Sequence, residues 1–95
     1  MQKIIILSFD KTITRLAGYP FGKNIYNQQV KDQIDFENGT CIVFPEQIVR
    51  IASSFVQGFF EEIVKVVSVS EVGRKIDVKC NGEDLRNSII NDLYS

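Results

Sequence analysis

The chain has 95 residues, 44% hydrophobic and 24% charged, the balance expected of one soluble globular domain and not of a disordered or fibrous segment. Eleven basic and twelve acidic side chains leave a formal charge of −1, which gives no reason to expect nucleic acid as a partner. Histidine is absent, and with it go Ser/His/Asp triads, Cys/His dyads, histidine zinc sites and imidazole bases.

Residues 3–9 open with the apolar run Ile4, Ile5, Ile6 and Leu7, read as a strand buried on both faces and ended by Asp10 and Lys11. The run is too short for a signal-peptide core or a membrane span, and no small-residue cleavage site follows it. Residues 12–17 suggest a short edge strand folded back as a hairpin, before the turn Gly18-Tyr19-Pro20-Phe21-Gly22. From Asn24, a plausible N-cap, Tyr26, Val30 and Ile34 recur every four residues, as on the apolar stripe of a helix. Asn38-Gly39 breaks the chain, and residues 40–44 read as a second buried strand, stopped by Pro45 and continued past a kink by residues 48–52.

The next stretch is the most informative. Phe55, Phe59 and Ile63, followed by Val66 or Val67, give a helix an aromatic buried face. Ser54 and Gln57 fit a capping box, in which hydroxyl and amide satisfy free N–H groups of the first turn. Residues 68–73 are expected to unwind this helix. Ile76, Val78 and Cys80 alternate with Asp77 and Lys79, which marks a strand with one wet face and so an edge. After Asn81-Gly82, Leu85, Ile89 and Leu93 define a final helix. Strands that alternate with helices imply an α/β fold: a small, mainly parallel or mixed sheet of three to four strands with three helices. The single domain should span residues 1–95.

Few constellations carry chemistry. Gly18, Gly22, Lys23 and Asn24 faintly suggest a phosphate loop, but the spacing is one residue short and Asn24 stands where Ser or Thr should hold magnesium. A turn feeding a helix, with Gly22 supplying an unusual backbone angle, is the plainer reading. Glu61 and Glu62 point in different directions on a helix, which suits a solvated face better than an acid/base pair. No nucleophile is paired with a base, so no enzyme, metal or cofactor is expected. Cys41 and Cys80 are too far apart for a CxxC pair and suit a reduced, cytoplasmic setting as small buried hydrophobes. Tyr19, Phe21 and Tyr26, if exposed together, would suit a homodimer, and if buried would be core.

Ser53 and Ser54 remain, at a strand-to-helix junction where free N–H groups and the positive end of the helix dipole welcome an anion or a phosphate. They also suit the plain role of helix caps. The run Ile51-Ala52-Ser53-Ser54-Phe55 before an amphipathic helix resembles the STAS domain of anti-sigma-factor antagonists, whose corresponding turn reads Asp-Ser-Ser-Gly. It is similar, more closely, to the STAS-like family of small bacterial and phage proteins with a Ser-Ser-Phe turn. Residues 8–12, 18–22 and 80–81 echo the resemblance.

That resemblance implies a non-enzymatic regulatory module, cytoplasmic, that docks a protein partner through Ser53, Ser54, Gln57, Gly58 and Glu61. It implies phosphorylation of Ser54, with Ser53 beside it, by a histidine-kinase-like ATPase. Ala52 and Phe55 depart from the family's acidic residue and glycine. A rival expectation is a phage or mobile-element protein that inhibits a host defence or transcription enzyme by direct binding, with no need of phosphate. Neither expectation involves nucleic acid or membrane.

Overall fold

The computed structural model describes residues 2–94 as an α/β fold. Its main sheet has three parallel strands, β1 (Lys3–Ile6), β3 (Thr40–Val43) and β5 (Ile76–Lys79), in the order β1-β3-β5. Two further short strands, β2 (Arg15–Leu16) and β4 (Arg50–Ile51), pair in parallel as a separate two-stranded sheet, Arg15 beside Arg50 and Leu16 beside Ile51. Helices α1 (Tyr19–Ile25), α2 (Ser53–Lys75) and α3 (Glu83–Tyr94) complete the set, with a π-helical turn (Tyr26–Val30) continuing α1. The chain therefore runs twice through long strand, short strand and helix, then closes with β5 and α3.

Several sequence expectations change once strands find their partners. The segment around β2 does not fold back on β1 as a hairpin: its two paired residues lie parallel to β4 in a separate sheet, and β4 for the same reason does not continue β3. Helix α1 begins at Tyr19, so Asn24 is an interior residue and the supposed turn is helical; Pro20 is tolerated because the first-turn N–H groups of a helix have no intrahelical partner. Helix α2 does not end at Ser68. It kinks there, at a positive φ of 59°, and resumes to Lys75.

Strand β1 is not covered on both faces. Ile5 and Leu7 are buried, but Ile4 and Ile6 are 61% and 71% exposed. Edge strand β5 alternates likewise, Ile76 and Val78 buried and Lys79 exposed, whereas central β3 buries Thr40, Cys41 and Ile42 in succession. Helices thus cover one face of the sheet, and β1 and β5 are its edges, as the alternation in β5 predicted.

The core is aromatic. Phe55 and Phe59 of α2 stack at 5.7 Å between ring centroids, Phe44 meets Phe59 at 5.8 Å, and Tyr26 meets Phe59 edge-on at 6.1 Å. Such pairs add about 0.5–1.5 kcal/mol each beyond the area they bury. Phe21 is half-buried against Phe55 and Tyr26 is buried, so two members of the supposed aromatic docking patch are core and Tyr19 alone reaches the surface. The buried Thr40 hydroxyl is satisfied on both sides, donating to the Asp35 carbonyl and accepting from the Asp35 N–H. Gly39 precedes it at φ +88°, a conformation that closes the Asn38-Gly39 turn and disfavours a side chain.

Candidate functional site

Pairing of β2 with β4 sets the starts of α1 and α2 side by side. The Ala52 N–H donates to the Leu16 carbonyl at 2.8 Å, and one turn later the helices touch backbone to backbone. A Cβ on Gly58 would lie 2.1 Å from the Tyr19 carbonyl oxygen, and a Cβ on Gly22 would lie 2.3 Å from the Phe55 carbonyl oxygen. Each helix thus supplies a glycine where the other's backbone passes. Gly22 does not relieve an unusual backbone angle, as expected from sequence; it is helical, and what it provides is clearance.

This crossing decides which of the expected docking residues are available. Gly58 is buried under α1 and offers nothing to a partner. Glu61 also turns towards α1, its Oε2 lying 2.9 Å from Lys23 Nζ; the ion pair satisfies an oxygen otherwise shielded from water. Lys23, the lysine of the faint phosphate-loop pattern, is thereby engaged. The Tyr19 hydroxyl and the Lys23 ammonium together hold the Glu61 carboxyl below the ordinary carboxylate range, while the carboxylate raises both Tyr19 and Lys23.

The two serines divide their roles. Neither forms the capping box: the residue at the N-cap position is Ala52, and no side chain caps α2. Ser54 points instead to α1, where its Oγ accepts a 2.9 Å hydrogen bond from the Gly18 N–H, 36 residues earlier in the chain. Gly18 sits at the start of α1 with φ +103°, so Ser54 ties the entrance of one helix to that of the other. Ser53, at the first position of α2, is exposed.

Ser53 opens onto a groove of about 620 Å³ between the β4–α2 junction and α3. Val49, Ile51 and Leu85 give it an apolar floor, and Arg50, Ser53, Asn81, Asp84, Ser88 and Asp92 give it polar walls. Asp84, Asp92 and Arg50 put charges of both signs in these walls, and the first turn of α2 brings positive partial charge to the same place. The sequence singled out Ser53 but not Ser88, Asp84 or Asp92. Their only sequence signal is that they lie off the apolar stripe of α3, which every solvated residue shares. On the same side of α2, exposed Gln57 lines a second groove with Val56, Phe60, Val64 and Leu93, and Glu61, while paired to Lys23, borders it with Lys65 and Asp92.

Both cysteines are free; burial is the main cause raising each thiol above its ordinary range, which makes them poor nucleophiles. Among the described residues no helix is long and apolar enough to cross a membrane. No protein-family model, curated protein or solved structure matches the chain.

Proposed function

We propose that this chain is a non-enzymatic regulatory module of the STAS-like kind, working in the cytoplasm, that docks a protein partner in the groove between the β4–α2 junction and α3. The observation that carries the reading is a concave surface combining an apolar floor with an exposed seryl hydroxyl at a helix start. A few convergent polar groups over an apolar floor suit recognition of a protein segment.

The serine pair supplies the switch. Accessibility favours Ser53 over Ser54, because the Ser54 hydroxyl already holds Gly18. A phosphate on Ser53 brings about −1.5 to −2 charges into the groove wall beside Asp84, where like-charge repulsion alters the surface that the partner grips. A phosphate on Ser54 acts differently: it breaks the bond to Gly18 and separates the two helix starts. The partner is a histidine-kinase-like ATPase that both binds the groove and supplies the phosphate.

Incubation with such an ATPase encoded beside the gene, with magnesium and ATP, tests this by intact-mass spectrometry and co-elution. The expected result is addition of one phosphate, lost in Ser53→Ala, with release of the complex on phosphorylation. Absence of both the phosphate and the complex would sink the proposal. Tight binding of a host enzyme by the unmodified chain, unaffected by Ser53→Glu, would replace the switch with the direct inhibitor.

A further inference from the structure

Helix α2 holds one residue in a conformation that helices do not use. Ser68 has φ 59° and ψ 159°, a region populated almost only by glycine, and it is the one non-glycine residue with positive φ among the described residues. Sharp kinks usually fall at proline or glycine, yet residues 59–72 contain neither. The bend is imposed by the tertiary structure.

Its cause is length. A straight α2 of 23 residues would span about 34 Å, whereas β3, along which it runs back, has four residues and spans about 13 Å. Ile76 has to start β5 beside Thr40, so the chain turns back before Lys75. Turning at Ser68 carries Val72 and Ile76 into the core, while Val66 just before the kink stays exposed. The closed fold thus strains a residue that an open chain would relax.

We infer that Ser68 is a hinge at which the segment carrying β5 and α3 exchanges between two copies of this chain: α2 straightens in each, and β5 and α3 of one copy pack on β3 and α2 of the other. The contacts themselves select a second copy. Along β3 the exchanged strand needs Thr40 beside Ile76 and Ile42 beside Val78, its Lys79 carbonyl needs the Phe44 N–H at 2.8 Å, and the Asn81 carboxamide needs the Glu46 carbonyl at 3.1 Å. Leu85 and Ile89 need the core that Phe60 and Ile63 help to build. The same sequence offers all of these together, and each reforms between copies as it stands within one. Only the hinge differs, and opening relaxes it twice per dimer. The inference does not rest on the proposed docking role, but it rebuilds that groove from two chains, Arg50 and Ser53 from one and Asp84 and Ser88 from the other.

Refolding under reducing conditions at about 1 mM and at about 10 µM, followed by light scattering on a sizing column, reads the exchange by mass action. The concentrated sample should give a species of twice 10.8 kDa. On dilution it should persist for hours, since release requires β5 and α3 to unfold from their partner, and mild denaturant should convert it to monomer. Ser68→Gly is at ease in the kink and poor in a straight helix, and should lower the dimerisation constant by at least about tenfold. Ser68→Ala, better in a helix and no better in the kink, should raise it several-fold. A chain that is monomeric after refolding at the higher concentration, a dimer that falls apart at once on dilution, or a dimerisation constant that neither variant moves in its stated direction overturns the inference.

Discussion

The two sides of helix α2 are built on opposite plans. Towards α1 the helix presents Gly22 and Gly58 at a crossing so close that backbone meets backbone, fastened by Ser54 to Gly18 and by Glu61 to Lys23. Towards α3 the same helix leaves grooves, floored by apolar side chains and walled by polar ones. A backbone contact has no adjustable atoms, so the first side tolerates almost no change. Side chains in an open groove can be exchanged without moving the fold, and that side is free to serve recognition.

The largest effect expected from breaking this contrast is at Gly58. Gly58→Ala sets a methyl against the Tyr19 carbonyl, which cannot swing aside, and should destabilise the protein by about 3 kcal/mol in chemical denaturation. A stability equal to wild type would mean that the crossing is looser than described. Next comes Ser54→Ala, which leaves the half-buried Gly18 N–H without its acceptor, for a loss of about 1–3 kcal/mol. Ser53→Ala, one residue away but facing the groove, should stay within about 0.5 kcal/mol of wild type. The pair of variants thus separates the closed side from the open one, and Ser53→Ala is the cleaner control for phosphorylation because it leaves the Gly18 bond in place.

The smallest effect concerns pH. The Glu61 carboxyl titrates below its ordinary range in the folded chain, so its contribution to stability is full above that range and is lost as pH falls through the depressed value. Lys23 is shifted upward, so its contribution holds at neutral pH and is lost only in strong base. Denaturation midpoints measured stepwise through the acid range should fall less steeply in Glu61→Gln than in wild type. Identical slopes would show that the pair is too well solvated to matter, as surface ion pairs often are.

Periodicity alone carried much of the architecture. The four-residue spacing of Phe55, Phe59 and Ile63, the spacing of Leu85, Ile89 and Leu93, and the alternation in β5 each report a local geometry that water and a single apolar face impose. The apolar identity of β1 was equally plain, but not that half of it would stay exposed, since a run of isoleucines reads the same whether one face or both are covered. Within the candidate site, Ser53 was legible as the start of a helix. The walls of the groove were not, because Asp84, Ser88 and Asp92 carry no pattern of their own.

Part of the local order, then, was written in the chain: the coils of α2 and α3, their apolar stripes, and the extended runs of β1, β3 and β5. Tertiary structure alone decided that two residues, Arg15 and Leu16, would find Arg50 and Ile51, since so short a strand has no period to detect. It alone made Gly22 and Gly58 points of helix contact, because a missing side chain gains meaning only from the backbone that fills its place. It also parted two adjacent serines, turning one inward to hold a helix start and the other outward to the groove, a difference that a one-residue step along a helix creates and only the neighbouring helices can use.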